Sequence, residues 1–198
     1  MRATTFRLCV SFLLFASVAQ AQARTGVSVY RISRAASSIR FAVKASVAIA
    51  GTFDHWDATL AFSSLDPATG VLDIKIQAAS VDTGSGVKNS KLKSKDFFDA
   101  KDNPLITFRS TKVVRTGPTT FEVDGDFTIR GVTKAEMLTL TVTDIGQGTG
   151  TIAGTMAFDR KDYGMNSGIP FIKIADHVEV TVNLAAKRVS GPPLLFQP

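Results

Sequence analysis

Residues 120–130, TFEVDGDFTIR, alternate apolar and polar side chains along their whole length. Phe121, Val123, Phe127 and Ile129 fall on one side of an extended chain, and acidic side chains and threonines fall on the other. Because successive side chains of a β-strand point to opposite faces, the alternation predicts a strand with one buried face. The other face is expected to meet water, as in an antiparallel sheet with a single buried side.

The same period of two recurs along the chain. It is found in residues 39–43, 58–62, 72–76, 138–142, 152–158 and 178–184. Turn-forming residues separate these segments at 66–70, 116–118, 131 and 146–148. Eight or nine strands at this spacing fit a sandwich or a closed barrel. A long sheet with one apolar face buries that face by curling on itself, which also removes its edges. We therefore predict an all-β fold, an extended antiparallel β-barrel of about eight strands.

Composition supports one globular domain with a large interior. The chain has 198 residues, of which 44% are hydrophobic and 20% are charged, so it can bury a core of its own. Fourteen Phe stand against one Trp and two Tyr. Phe contributes a large apolar ring without a polar atom. The interior is therefore expected to be large and dry.

The N-terminus has the pattern of an export signal. Two arginines without a neighbouring acid precede an apolar run at residues 8–18, which is too short to span a bilayer. Small residues favour cleavage after Ala21 or Ala23. We predict that residues 1–23 are a cleaved signal peptide and that the mature protein is periplasmic. An uncleaved N-terminal anchor is the alternative.

Cysteine and charge narrow the function classes. The single Cys9 lies within the predicted signal, so the mature chain is expected to fold without disulfides. The Arg7-Leu8 pair before it argues against a lipoprotein box. Removal of Arg2 and Arg7 lowers the formal net charge from +6 to +4. This mild excess predicts no nucleic-acid partner and is compatible with transient contact with an anionic membrane surface.

Residues 85–100 interrupt the alternation. They predict a short helix that bridges two strands and covers one end of the barrel, followed by a turn that presents Phe97 and Phe98. The lysines of this segment are expected mostly on its solvent side; they are Lys88, Lys91, Lys93 and Lys95. A solvated helix face explains them better than contact with phosphate or nucleic acid.

The same segment carries a recognisable motif. Residues 92–100, LKSKDFFDA, followed by Pro104, Ile106, Phe108 and Ser110, resemble the signature of the YceI-like family. Further similar positions are residues 30–32, 51–53, 80–83, 125–133, 160, 163–165, 176 and 178. The resemblance implies a lipocalin-like barrel at residues 27–188 in a secreted or periplasmic protein. It also implies a long amphiphilic ligand, such as a polyisoprenoid or a quinone with an isoprenoid tail.

Two departures from the family pattern concern polar positions. Residues 88–91 read KNSK where the family usually has Arg-Asp-x-His, and Ala45 stands where it often has His. These positions bear on the ligand's head group. They leave the apolar alternation untouched.

The sequence offers no catalytic constellation. It contains no Gly-x-Ser-x-Gly elbow, His-Glu-x-x-His motif or P-loop, and the mature chain has no cysteine. His177 is expected in solvent on its strand. His55 is expected in an exposed strand end or loop, although its neighbours Asp54 and Asp57 also suit an acid–base cluster. Two separate histidines do not make a transition-metal site. We predict no enzyme activity, no metal and no cofactor.

The resemblance and the alternation together nominate residues that line the ligand. The set is Phe41, Phe53, Phe62, Ile74, Leu92, Phe97, Phe98, Phe108, Phe127, Leu140, Met156, Phe158 and Arg160. Each phenyl ring is either packed core or ligand lining. Arg160 either meets a polar head group or is a structural anchor at a strand end.

The leading hypothesis is a non-catalytic periplasmic protein that encloses an isoprenoid-type lipid or another long-chain amphiphile for transport, storage or stress response. A structural barrel with a filled core is one alternative. An enzyme acting on a bound lipid through His55 or the Asp-rich loops is another. Residues 189–198 contain three prolines and are predicted to form a flexible tail. The sequence leaves the oligomeric state open, a dimer included.

Overall fold

The computed structural model describes residues 27–46, 49–168 and 172–196, so the predicted signal peptide lies outside the described residues. The described part forms one antiparallel sheet with a single α-helix, α1 (Gly86–Lys93). The strands are β1 (Val29–Ile32), β2 (Ser38–Ala45), β3 (Ile49–Phe53), β4 (Trp56–Phe62), β5 (Gly70–Gln77), β6 (Val81–Asp82), β7 (Leu105–Arg115), β8 (Thr120–Ile129), β9 (Val132–Gly146), β10 (Thr149–Asp159) and β11 (Ile174–Ser190). Short 3-10 turns lie at Arg34–Ala36, Pro67–Thr69, Ala78–Ser80 and Arg160–Tyr163.

The sheet closes on itself through its last strand. One edge of β11 pairs with β10, while the other pairs with β2 near Val180 and with β1 near Arg188. Three long strands of the barrel are each made of two consecutive shorter ones: β1 with β2, β3 with β4, and β5 with β6. In the first, β1 pairs with β4 and β2 pairs with β3. In the third, β5 pairs with β4 and β6 pairs with β3. With β7, β8, β9, β10 and β11, the barrel therefore has eight long strands, arranged in sequence order. The predicted eight-stranded antiparallel barrel is confirmed.

The alternation places side chains as expected. Ile74, Phe127 and Leu140 are buried, and the partly buried Val180 packs against the same core. Their polar neighbours on the same strands face solvent; these are Lys75, Asp126, Thr139 and Thr181. A period of two in the sequence thus becomes an inside and an outside.

The middle of the barrel is filled because two glycines let large side chains approach the wall. A Cβ on Gly125 would lie 2.5 Å from Cζ of Phe108, and one on Gly154 would lie 2.5 Å from Cδ2 of Leu140 and 2.8 Å from Cγ2 of Val182. We call the level of Phe108, Gly125, Gly154 and Val182 the waist. It divides the interior into two halves.

Helix α1 bridges β6 and β7, as predicted. It begins after Ser85, whose Oγ accepts a hydrogen bond from the backbone N–H of Lys88 at 3.5 Å. Leu92 is its buried residue. The prediction that its lysines are mostly solvated is wrong, because Lys88, Lys91 and Lys93 are half-buried. Lys88 lies four residues before Leu92 and so shares its face, and Lys91 forms an ion pair with Asp96. No helix within the described ranges is long and apolar enough to cross a bilayer.

The C-terminal segment turns back against the barrel. β11 continues through Ser190, two residues beyond the predicted domain boundary. Gly191 then adopts a left-handed conformation with φ 77° and redirects the chain. Ser28 Oγ donates to the Pro192 carbonyl at 2.6 Å, and Leu195 N–H donates to the Leu65 carbonyl at 2.9 Å. The flexibility of residues 189–198 stays a prediction.

Candidate functional site

In the described part of the chain, one cavity lies on each side of the waist inside the barrel. The first has a volume of about 110 Å³ and lies at the end covered by α1 and the loop after it. The second has a volume of about 80 Å³ and lies at the opposite end. On β5, for example, Ile76 lines the first cavity and Leu72 the second, while Ile74 lies between them at the level of the waist. The surface facing the first cavity is apolar.

The predicted ligand-lining residues fall into three groups. Eight of them line the first cavity, namely Phe41, Phe53, Leu92, Phe97, Phe98, Phe127, Phe158 and Arg160. Phe62 and Leu140 line the second cavity. Ile74, Phe108 and Met156 line neither and are buried in the core.

Two aromatic clusters border the first cavity. Phe98 lies 6.3 Å from Phe41 and 5.9 Å from Phe53 between ring centroids, so the loop after α1 packs one ring against side chains of β2 and β3. Across the cavity, Phe127 and Phe158 lie 5.1 Å apart. Such pairs prefer tilted and edge-to-face arrangements. Both neighbouring phenylalanines of the loop are therefore committed to the interior, with Phe97 4% and Phe98 7% exposed.

Polar contacts at the rim hold this loop over the barrel. Asp96 forms an ion pair with Lys91 and accepts a hydrogen bond from Ser167 Oγ at 3.2 Å. Arg130 donates to the Lys95 carbonyl at 2.9 Å and to the Gly164 carbonyl at 2.8 Å. The Arg130 backbone has φ 53° and that of Gly131 φ 74°, the left-handed pair required by the tight hairpin between β8 and β9.

The charge of Asp96 links this closure to pH. The hydrogen bond from Lys91, with a smaller contribution from Ser167, holds the pKa of Asp96 below its ordinary value of 3.8. A carboxylate with a lowered folded-state pKa stabilises the fold above its unfolded pKa, and this stabilisation is lost as the pH falls through the folded value. The rim contact should therefore weaken only in strong acid.

We expect the melting temperature of Asp96→Asn to lie below that of the parent at neutral pH, because the variant loses the ion pair. The difference should shrink as the pH falls below 3.8, where the carboxyl group of the unfolded chain becomes protonated, and should vanish below the lowered pKa of folded Asp96. Thermal unfolding of both proteins across this pH range measures it. A difference that is unchanged in acid would show that the charge of Asp96 does not contribute.

Arg160 is a buried anchor at the end of β10. Its Nε donates to the Ala175 carbonyl at 3.1 Å, and its Nη1 donates to the carbonyls of Met165 and of Ser167, the latter at 3.1 Å. Its Nη2 donates to Asp176 at 2.9 Å. The side chain is 7% exposed. These contacts support the anchoring interpretation over direct contact with a head group.

Asp176 joins Arg160 to the surface. Lys161 Nζ lies 2.7 Å from its second carboxylate oxygen. The hydrogen bond from Lys161 is the largest cause that lowers the pKa of Asp176, and the nearby Arg160 adds to it. The carboxylate is thus ionised at neutral pH and holds two cations at the end of the barrel.

The sequence analysis missed several residues of the first cavity. The aliphatic ones are Ile39, Val43, Ile49, Ile76, Ile106, Ile129, Ile172, Ile174, Val178 and Val180, together with Met165. Ile39 and Val43 lie two residues from Phe41 on either side and share its face, so the period of two already marked them. Lys88 and Lys91 were also missed. Because the cavity-facing surface is apolar, these lysines contribute their aliphatic stems.

Reactive groups are not gathered at either cavity. His55 and His177 are both exposed on the outside of the barrel. Within the described ranges, no group of three or more His, Cys, Asp or Glu side chains could hold a metal ion. Tyr163 is fully buried, and its hydroxyl donates to Glu136 at 2.6 Å. Burial, with the Glu136 contact second, raises the Tyr163 pKa, so the phenol stays protonated and acts as a structural donor.

Comparison with known proteins decides the family. The model of the YceI-like domain matches residues 30–186, which include the whole barrel apart from its outermost strand ends. The chain belongs to the YceI-like family. In this YceI-like barrel, the signature segment around Phe97 and Phe98 forms the cover of the first cavity.

Relatives share the family across species. A UPF0312 protein of Pseudomonas syringae pv. syringae is 31% identical over 133 residues, covering 65% of this chain and 69% of the relative. Protein YceI of Escherichia coli O157:H7 is 36% identical over 107 residues, 54% of each chain.

Solved structures share the YceI-like barrel. The crystal structure of Burkholderia cenocepacia BcnA matches with a TM-score of 0.72 and 28% identity, over 79% of this chain and 99% of BcnA. A polyisoprenoid binding domain from Saccharophagus degradans matches with a TM-score of 0.61 over 80% of this chain and 98% of that one. At 15% identity, this last likeness shows the fold alone.

Proposed function

We propose that this YceI-like protein encloses the apolar part of an isoprenoid-type lipid or similar long-chain amphiphile in its first cavity, without catalysis, in the periplasm. The observation that carries the proposal is the apolar surface of that cavity inside a closed barrel. The charged side chains that border it have protein partners, as Lys91 has in Asp96 and Arg160 has in Asp176. The interior thus suits a hydrocarbon chain.

Burial of the chain supplies the binding energy. Each CH₂ moved from water to an apolar interior contributes roughly 0.8 kcal/mol, so a stretch of about ten carbons gains on the order of 8 kcal/mol before the cost of ordering it. No exact polar chemistry is needed for this gain. Lys88 and Lys91 lie at the covered end, and we assign the ligand's polar head to that end.

Binding requires side chains to move. The first cavity is smaller than the roughly 150 Å³ that one benzene ring fills in an apolar protein cavity. A long chain must therefore displace rings or extend out of the barrel. We assign this movement to the loop that carries Phe97 and Phe98. The contacts of Asp96 that hold the loop are polar and lie at the surface, so water can replace them when the loop moves.

Two alternatives remain in different classes. The small cavities and the filled waist also suit a structural barrel without a ligand. An enzyme acting on a bound lipid would need a reactive group at the cavity, and His55 is exposed outside it. Native mass spectrometry of the protein isolated from the periplasm of its own cells separates these classes. A co-purified lipid supports the binder, and a ligand-free protein supports the filled barrel.

A pair of cavity-filling variants tests the site. We expect Val180→Phe to weaken the binding of geranylgeraniol by at least about tenfold, because the added ring occupies the first cavity. Val142→Phe is the matched control, since it makes the same change on β9 in the second cavity. Titration calorimetry with each folded variant measures both. Equal binding by the parent and Val180→Phe would contradict the assignment.

Export is tested separately. Peptide mass analysis of the folded protein should show an N-terminus at Gln22 or Arg24, and the protein should fractionate with the periplasm. Retention of Met1 would contradict the proposed location without affecting the ligand site.

A further inference from the structure

The second cavity differs from the first in what closes it. Its end is covered by residues 191–196, which we call the strap. Leu194 and Phe196 of the strap line the cavity, while Leu195 between them points outward and is 59% exposed. The ring of Phe196 meets that of Phe121 edge to face, with 6.4 Å between centroids. The strap thus inserts two apolar side chains where a ligand would otherwise contact the wall.

The remaining walls suit an apolar molecule. Tyr30, Leu60, Val113, Val142 and Ile152 are among the side chains that surround the space, and none of the described residues that line it is charged. The waist separates this space from the first cavity, because Gly125 and Gly154 allow Phe108 and Val182 to close the middle of the barrel. A molecule in the second cavity would therefore reach solvent past the strap and not through the first cavity.

A few hydrogen bonds attach the strap to the barrel, and they can break without disturbing the sheet. The hydrogen bonds that tie it down run from Ser28 to the Pro192 carbonyl, from Arg188 to the Gly191 carbonyl at 3.0 Å and from Leu195 to the Leu65 carbonyl. These bonds hold the backbone, while Leu194 and Phe196 contribute only apolar contacts to the cavity. Withdrawal of the strap leaves the barrel pairing intact, since β11 ends at Ser190.

We propose that the second cavity is a separate binding site for a small apolar molecule, such as a monocyclic hydrocarbon or the end of an aliphatic chain, and that the strap closes it by occupying the site with Leu194 and Phe196. This site goes beyond the lipid-binding function proposed above and does not depend on it. With the strap in place, the remaining space of about 80 Å³ is too small for a ring. Removal of the Phe196 side chain brings the space toward the size that holds one benzene molecule.

The test compares Phe196→Ser with Leu195→Ser. We expect Phe196→Ser to bind fluorobenzene about tenfold more tightly than the parent in titrations followed by fluorine NMR, because a competing side chain no longer occupies the site. Leu195→Ser is the matched control and should bind like the parent, since Leu195 points outward. If Phe196→Ser fails to fold, Leu194→Ser serves the same purpose.

Second substitutions locate the gain. Val142→Phe added to Phe196→Ser should abolish it, and Val180→Phe added to Phe196→Ser should preserve it. Unchanged binding in Phe196→Ser, an equal gain in Leu195→Ser, or loss of the gain through Val180→Phe would each overturn the proposal. If Val142→Phe weakened geranylgeraniol binding as much as Val180→Phe does, the two cavities would be one tunnel, and the separate site would be wrong while lipid binding stood.

Discussion

Replacement of Phe108 by Ala is expected to lower the free energy of unfolding by about 3–5 kcal/mol, the cost of removing a packed core phenyl ring. Phe108 lines neither cavity, is 5% exposed and lies against Gly125. Its ring packs against the backbone of the neighbouring strand instead of facing a cavity, so its removal forfeits the full packing contribution. Urea titration of the ligand-free protein measures this loss.

Phe98→Ala is the matched comparison, because it removes the same ring at nearly the same exposure from the edge of a cavity. Part of the Phe98 surface already faces empty space, so the ligand-free variant should lose noticeably less stability than Phe108→Ala. Its affinity for geranylgeraniol should change, because the ring lines the cavity that we assign to the ligand. Equal destabilisation by the two changes with unchanged binding would show that the loop is structural.

Replacement of Arg160 by Met should be comparably damaging, with a loss on the order of 3 kcal/mol or more. Met fills similar space but makes none of the hydrogen bonds to the carbonyls of Ala175, Met165 and Ser167, and it leaves Asp176 with only Lys161. The Met165 carbonyl would remain buried without its donor, and those of Ala175 and Ser167 would remain half-buried without theirs. Thermal and urea unfolding of the variant measure the effect.

Lys161→Met is the control for Arg160. Lys161 also pairs with Asp176, but half of its side chain is exposed, and exposed ion pairs contribute little. A small effect at Lys161 beside a large one at Arg160 would assign the stabilisation to the buried donors. Similar small effects at both positions would show that Arg160 is not an anchor.

The barrel could be predicted from the sequence because the period of two in the sequence corresponds directly to the inner and outer faces of its strands. In β8, for example, Phe121, Val123 and Phe127 are buried and Glu122 is exposed, as the pattern requires. Helix α1 was accessible for the opposite reason, since its residues lack that period. Such inferences need only local geometry.

The division of the barrel interior into two cavities and a waist could not be predicted from the sequence. Phe41, Phe62 and Phe108 look alike in an alternating strand, yet the structure places them in the first cavity, the second cavity and the waist. What separates them is which residues lie beside them on the neighbouring strands, such as Gly125 of β8 beside Phe108 of β7. That information depends on strand register and not on any single segment. The strap was hidden for the same reason, because a proline-rich end gives no sign of the cavity it meets.

Pairing between the two ends of the chain occurs at one place in the barrel, where β11 meets β1 and β2, which we call the seam. Everywhere else, each of the eight long strands pairs with the long strand that precedes or follows it in the chain. At that seam Ser37 Oγ accepts a hydrogen bond from the Ala185 N–H across 148 residues. Hairpins can add one after another at low entropic cost, while ring closure joins the two ends of the domain in a single event. Closure of the barrel, and with it the formation of any enclosed space, thus requires that the last strand is present, so a chain truncated before β11 encloses neither cavity.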